Sequence, residues 1–147
     1  MSDPVTVTVT RQDKYKFLVD FGPAIGQIVA DEPAPLGEGA GPSPTQLLAA
    51  AVANCLSSSL VFANAKYKED PGALTTAVTC EVGRNKKNRL RVLGMNVTIT
   101  LGVAPEQLAH LDRALAQFED FCTVSQSVRA GIPYSLTVKS PDGRVIK

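Results

Sequence analysis

The chain has 147 residues, of which 44% are hydrophobic and 20% are charged, and its formal net charge is +1. This composition is typical of one globular domain, and the small net charge gives no general argument for nucleic acid or acidic partners. Three cysteines and no signal-peptide pattern indicate a reducing, cytoplasmic setting, where cysteines are more often catalytic, redox-active or metal-binding than structural.

The first part of the chain predicts a small β-sheet. Val5–Thr10 alternates strictly among β-branched residues and is expected to be a strand with one buried face, followed by a turn at Arg11–Asp13. Phe17–Phe21 is expected to complete a hairpin, and Gln27–Ala30 to form a short third strand. The proline-rich residues 31–43 predict an irregular surface loop rather than a linker between domains.

A long helix is predicted for Ser43–Ala63, and the rest of the chain is organised around it. Ser43 and Gln46 have the spacing of a capping box at its start. No residue from Leu47 to Ala63 is charged, so we expect the helix to be buried on all sides. Polar residues such as Asn54 interrupt the apolar run, so we expect no membrane span.

Two further strands are predicted after this helix, at Thr75–Val82 and Leu90–Val103. Five basic residues lie in and around their connection: Arg84, Lys86, Lys87, Arg89 and Arg91. A basic cluster can bind phosphate, but no aromatic residues are interleaved for base stacking, and we expect a solvated hairpin turn.

The last third of the chain predicts two helices and a strand. A helix starting at Pro105 places four apolar residues and Cys122 on one buried stripe. Val124–Ala130 is expected to be a short helix and Tyr134–Lys139 the last long strand. The order of elements predicts one α+β domain over 1–147, with antiparallel sheets around a long buried helix.

The thiols are the main candidates for chemistry. Cys55 and Cys122 lie in apolar helical contexts, so the pattern alone leaves open whether they are reactive or simply small buried hydrophobic residues. Cys80 lies within a predicted strand and is expected to be structural. No C-x-x-C pair or second histidine accompanies them, which disfavours zinc, and nothing near His110 supports a hydrolase.

Two segments resemble the cysteine motifs of the OsmC/Ohr family, the osmotically inducible and organic-hydroperoxide-resistance thiol peroxidases. The stretch from Gly41 to Cys55 resembles the first motif, and Cys122–Ser125 followed by Val128–Pro133 is similar to the second. The two cysteines are 67 positions apart, as in the family. The predicted strands and helices also fit the family layout, so the resemblance covers most of the chain.

The resemblance implies an intertwined homodimer with its sites at the interface, and an antioxidant role in stress response. It also implies that Cys55 is the thiolate that attacks the hydroperoxide and becomes a sulfenic acid. Cys122 then forms a disulfide with it, which a dithiol such as dihydrolipoamide reduces. No cofactor, metal, nucleic acid or membrane partner is expected.

The family pairs an activating arginine after the first strand with a glutamate at the start of the helix. Arg11 matches the arginine, and Arg129 is a second candidate for the cation that activates Cys55. Thr45 stands at the glutamate position, so the sequence looks closer to the OsmC-like branch than to the Ohr branch. Two alternatives remain: a non-enzymatic protein that binds a lipophilic ligand at the dimer interface, and a thiol redox sensor or general reductase.

Overall fold

The computed structural model describes residues 3–147, and its backbone divides into two compact units. The first unit is described from Asp3 to Leu48, and the second runs from Ala49 to Lys147. Each contains one three-stranded sheet, and helices follow along the chain, so the predicted α+β class is confirmed. The assignment of 1–147 to a single domain stays a prediction.

The sheet of the first unit consists of β1 (Thr8–Asp13), β2 (Lys16–Asp20) and β3 (Gln27–Ala30). The strands are antiparallel in this order, and β1 forms a hairpin with β2 in which Arg11 pairs with Phe17. The predicted turn at Arg11–Asp13 is therefore wrong, because these residues continue the strand.

The predicted buried face of the first strand is also wrong. Val5 and Val7 precede β1, and Val5, Val7 and Val9 are 90%, 43% and 56% exposed. Alternating β-branched residues indicate a face that is suited to burial, but they do not identify the surface that covers it. In this chain the face is left open.

Asp31 organises the irregular loop that leads to the long helix. Its side chain accepts hydrogen bonds from the backbone N–H groups of Glu32, Glu38 and Ala40 at 2.8, 3.1 and 3.1 Å. The hydrogen bond from Ala40 is the main reason that the pKa of the Asp31 carboxyl lies below its usual value, although burial opposes the shift.

Helix α1 (Pro44–Ala65) begins with the predicted capping box. The N–H of Ser43 donates to Gln46 Oε1 at 2.8 Å, and the N–H of Gln46 donates to Ser43 Oγ at 3.2 Å. Each side chain thus satisfies a backbone donor that the first helical turn leaves free.

Within the single chain, burial of α1 is confined to one stripe, and cover on its other sides stays a prediction. The buried residues are Val52, Leu56, Ser59, Leu60, Ala63 and Asn64. Val61 and Phe62, on another side, are 43% and 54% exposed. The helix also has the length and mean hydropathy (1.6) of a membrane span. Contrary to the expectation from the sequence, its composition alone therefore does not exclude a membrane span, although core helices of soluble proteins pass the same test.

The sheet of the second unit consists of β4 (Thr75–Arg84), β5 (Leu90–Thr100) and β6 (Tyr134–Lys139). β4 and β5 form the predicted hairpin, and β5 buries Met95, Val97 and Ile99 on one face. β6 pairs with β5 in parallel, so the expectation of purely antiparallel sheets is wrong. A parallel pair needs a long crossover, and here residues 101–133 provide it.

The crossover contains short helices instead of the long one predicted from Pro105. A 3-10 turn at Pro105–Gln107 precedes α2 (Leu111–Gln117), and a second 3-10 turn at Phe118–Phe121 precedes α3 (Thr123–Arg129). The predicted apolar stripe is nevertheless buried: Leu108, Leu111, Leu115, Phe118 and Cys122. The helical path stops at Cys122, whose backbone is extended (φ −86°, ψ 97°).

Candidate functional site

Cys55 and Cys122 meet at the first turn of α3. Cys122 is the N-cap of this helix, and its Sγ accepts the N–H of Ser125 at 3.3 Å. The Sγ of Cys55, which comes from the middle of α1, accepts the N–H of Val124 at 3.5 Å. Both are free thiols, and their sulfurs accept from two adjacent amides of the same helical turn.

The two cysteines differ in their access to solvent. Cys55 is partly exposed, whereas Cys122 is fully buried. Burial, followed by the neighbouring Cys55 side chain, raises the pKa of the Cys122 thiol, while Ser125 opposes that rise. Cys122 is therefore held as a neutral thiol at pH 7, behind the more accessible Cys55.

A charged network lies beside the thiols and was not predicted from the sequence. The Tyr134 hydroxyl donates to Glu119 Oε1 at 2.9 Å, and Lys147 Nζ donates to Glu119 Oε2 at 2.8 Å. Burial raises the pKa of Glu119, but the hydrogen bonds from Lys147 and Tyr134 outweigh it and leave the pKa below its usual value. Burial and the adjacent Glu119 raise the pKa of Tyr134. These residues are distant in the sequence and form no motif.

Ser125 connects the thiols to this network. Ser125 is 1% exposed, and its Oγ has no hydrogen-bond partner of normal geometry among residues 3–147. The hydroxyl lies near enough to Cys122 and Tyr134 to oppose the rise in the pKa of both groups. A buried hydroxyl without a firm partner costs free energy, so its presence here requires an explanation.

The two predicted cations are placed differently. Arg11 lies in the first unit on β1, where its side chain is exposed and its Nε donates to the carbonyl of Lys14 at 2.8 Å. Arg129 lies at the end of α3, with its guanidinium 5.0 Å from the centre of the Tyr134 ring. Thr45 lies half-buried in the first turn of α1. The activating role of Arg11 stays a prediction.

Cys80 and His110 lie in other parts of the second unit. Cys80 is in β4 opposite Met95, and burial raises its pKa. His110 precedes α2, where its Nδ1 lies 3.0 Å from Glu69 Oε1 and its ring stacks on Tyr67. Among residues 3–147, no three His, Cys, Asp or Glu side chains form a group that could hold a metal ion.

Each of the two units has an apolar surface of its own. In the second unit, the exposed Phe62 contacts Phe121 edge to face at 5.2 Å, and Lys66 Nζ lies 4.1 Å from the centre of the Phe121 ring. In the first unit, a cavity of about 330 Å³ has mainly apolar walls, including Val9, Phe17, Val19 and Leu47.

Comparisons with known proteins agree on one family. The model described as "OsmC-like protein" matches residues 37–137. A putative osmotic stress induced and detoxification response protein from Psychrobacter arcticus has a similar structure, with a TM-score of 0.76 and 22% identity over 94% of this chain and 98% of that one. No curated protein matches the sequence.

Two organic hydroperoxide resistance proteins also have this fold. The protein from Elizabethkingia anophelis gives a TM-score of 0.70 and 19% identity, over 95% of this chain and 99% of its own. OhrB of Bacillus subtilis gives 0.68 and 16%, over 93% and 98%. At these identities the likeness shows the fold alone.

Proposed function

This chain belongs to the OsmC-like protein family, and from that premise we propose that it is a thiol-dependent peroxidase that reduces organic hydroperoxides. The observation that carries the proposal is the meeting of Cys55 and Cys122 at the first turn of α3. Family membership supports a redox role, and the organic hydroperoxide resistance of two proteins with this fold suggests the substrate.

In the first step, the Cys55 thiolate attacks the terminal oxygen of the hydroperoxide. A sulfur–oxygen bond forms, the oxygen–oxygen bond breaks, and the alcohol leaves after it has taken up a proton. Cys55 becomes a sulfenic acid. The partial exposure of Cys55 favours it over the buried Cys122 for this step, because the substrate has to reach the sulfur.

In the second step, Cys122 attacks the sulfenic sulfur of Cys55. The disulfide bond forms, the sulfur–oxygen bond breaks, and the Cys122 proton ends on the departing hydroxide as water. A dithiol of the lipoyl type then reduces the disulfide by exchange and becomes oxidised itself. The placement of both sulfurs on adjacent amides of α3 supports this step, since a disulfide needs the side chains to be close together.

From the resemblance of Arg11 to the family's activating arginine, we assign the activation of Cys55 to this residue. Cys55 lies far from the ends of α1, where the helix dipole is weak, so a cation has to stabilise the thiolate. Thr45 offers no carboxylate to hold that arginine by charge, and so we expect slower turnover than in a protein with glutamate there.

A homodimer forms part of the proposal. The exposed Val61 and Phe62 of α1, together with Phe121, form an apolar patch on the second unit. In the cytoplasm that we propose for this protein, the patch would otherwise be exposed to water. Its burial against a second copy of the chain is therefore favourable.

The test is consumption of an organic hydroperoxide such as tert-butyl hydroperoxide in the presence of dihydrolipoamide. We expect wild type and Cys80→Ser to consume it at equal rates, and Cys55→Ser to lose the activity. Cys122→Ser should support sulfenic acid formation but not the intramolecular disulfide. Equal rates for wild type and Cys55→Ser would refute a peroxidase centred on this thiol.

One alternative has an observation in its favour. The apolar cavity of about 330 Å³ in the first unit suits a lipophilic molecule, as expected of a binding protein rather than an enzyme. A fluorescent fatty-acid probe that binds wild type and Cys55→Ser equally well, with no peroxide consumption by either, would favour this function. A redox sensor, in contrast, would form the disulfide once without multiple turnover in the presence of dithiol.

A further inference from the structure

We propose that Ser125 is a positioning residue for the second step, the attack of Cys122 on the sulfenic acid of Cys55. Its backbone N–H and its hydroxyl hold the Cys122 sulfur while that sulfur carries negative charge. Tyr134, which donates its own proton to Glu119, is only a weak competitor for the hydroxyl proton. This inference rests on the proposed peroxidase function. It gives a residue other than the two cysteines a role in the second step of that reaction.

The backbone half of this arrangement is already formed. The N–H of Ser125 points at Cys122 Sγ at 3.3 Å, because Cys122 occupies the N-cap position of α3. Hydrogen bonds to a charged acceptor are stronger than those to a neutral one. The same N–H therefore holds the thiolate more tightly than the resting thiol.

The hydroxyl of Ser125 is available for a second hydrogen bond to the Cys122 sulfur. This oxygen is buried and has no partner of normal geometry in the resting state, although it lies near both Cys122 and Tyr134. Rotation about one side-chain bond is enough to aim its proton at the sulfur. A group that waits unpaired in the resting enzyme can thus gain its hydrogen bond when charge develops on Cys122.

Tyr134 is the other acceptor that the Ser125 hydroxyl can reach, and Glu119 fixes its state. Because Tyr134 donates its own proton to Glu119, its oxygen is left as an acceptor that competes weakly for the Ser125 proton. Lys147 fixes the other oxygen of Glu119 at 2.8 Å. The ionisable group that acts on Cys122 itself is Cys55 from α1, and those that act on Glu119 and Tyr134 are Lys147 and Arg129.

The need for such help follows from the burial of Cys122. The thiolate is the attacking species in disulfide formation, and a fully buried thiol yields few thiolates at neutral pH. In this step the Cys122 proton passes to the sulfenic oxygen, which leaves as water. Ser125 donates to the sulfur throughout and is neither oxidised nor consumed.

The experiment compares Ser125→Ala with Ser127→Ala, a control on the same helix whose exposed hydroxyl donates to the carbonyl of Thr123. Each protein receives one equivalent of tert-butyl hydroperoxide without reductant. Dimedone traps the Cys55 sulfenic acid, and mass spectrometry after rapid quenching measures the Cys55–Cys122 disulfide. A second readout is the ultraviolet thiolate titration of Cys122 in a Cys55→Ser, Cys80→Ser background.

For Ser125→Ala we expect an unchanged rate of sulfenic acid formation, disulfide formation slower by about tenfold, and a Cys122 titration midpoint about one pH unit higher. Ser127→Ala should match wild type in all three. Tyr134→Phe keeps the ring but removes the acceptor that competes for the Ser125 proton, so it should change disulfide formation and the Cys122 midpoint in the opposite direction, by about threefold. It serves if Ser125→Ala does not fold, and an unchanged or slower disulfide rate in Tyr134→Phe would count against the role of the hydroxyl.

The possible failures can be told apart. Normal sulfenic acid formation with an unchanged disulfide rate and an unchanged Cys122 midpoint in Ser125→Ala overturns the role of Ser125 alone. Absence of sulfenic acid and disulfide in the wild-type protein overturns the proposed function, and the role of Ser125 in that reaction with it.

Discussion

Replacement of Phe62 by alanine should weaken the homodimer by about three orders of magnitude. Phe62 is 54% exposed, and an aromatic side chain buries about 150–250 Å² in full, so about 100 Å² of its surface is open to a partner. At about 25 cal/mol per Å² this area is worth about 2 kcal/mol, after allowing for the methyl group of alanine. A symmetric dimer buries the residue twice, which gives about 4 kcal/mol.

Sedimentation equilibrium over a range of protein concentrations measures this change. Val145→Ala is the matched control, because Val145 is 61% exposed but pairs with Lys139 near the end of the chain and is not part of α1. Phe62 also contacts Phe121, so thermal unfolding followed by circular dichroism has to show that the variant remains folded. A wild-type protein that sediments as a 15.5 kDa monomer, or equal dimer dissociation constants for all three proteins, would refute the reasoning.

Three further predictions follow from other parts of the chain. Arg11→Ala should raise the pH midpoint for alkylation of Cys55 and slow peroxide reduction while the protein stays folded; an unchanged midpoint would make Arg11 a surface charge only. Glu69→Gln should destabilise the protein in urea at pH 7, because the hydrogen bond with His110 lowers the pKa of Glu69 in the folded state. Because the pKa of Glu69 is lowered in the folded state, its carboxylate stabilises the fold at pH values above the ordinary pKa of 4.5. The difference in unfolding free energy between wild type and Glu69→Gln should therefore shrink as the pH falls below that value, and a constant difference down to pH 3 would contradict this. Ser43→Ala should reduce the free energy of unfolding by about 1 kcal/mol through loss of the helix cap, whereas an unchanged urea midpoint would show that the cap contributes nothing.

Most strands and the main helix could be predicted because their patterns are local. The boundaries of β3 and β6 match the predicted ones, and the capping box placed the start of α1 within one residue. The parallel pairing of β5 and β6 could not be predicted, since alternation of apolar residues is the same in parallel and antiparallel strands. The division of the helix predicted from Pro105 into α2 and two 3-10 turns was missed, because the apolar stripe continues through all three.

The burial of α1 illustrates a different limit. Its uncharged sequence indicates a helix that is suited to apolar surroundings on all sides, but composition does not state whether those surroundings come from the same chain. The exposed Phe62 shows that within this chain they do not. The same holds for the valines before and within β1.

The candidate site was predictable only where the motifs lie. The resemblance identified Cys55 and Cys122, and the structure brings these residues together. Tyr134 and Glu119 carry no sequence signal, because their contact depends on how β6 and the turn before Cys122 pack. Ser125 lies within the second motif, yet only its burial and its unpaired oxygen single it out.

The attachment of both sulfurs to adjacent amides of α3 makes this short helix a reporter of thiol chemistry. Val124 and Ser125 each donate to a different cysteine, so any alkylation, oxidation or metal ion at either sulfur changes the acceptor of one identifiable N–H. The amide proton resonances of these two residues therefore distinguish modification at Cys55 from modification at Cys122 without a label on the thiols. Amide exchange at the same two positions follows the state of each sulfur over time, in the intact protein and under the conditions of the peroxide assay.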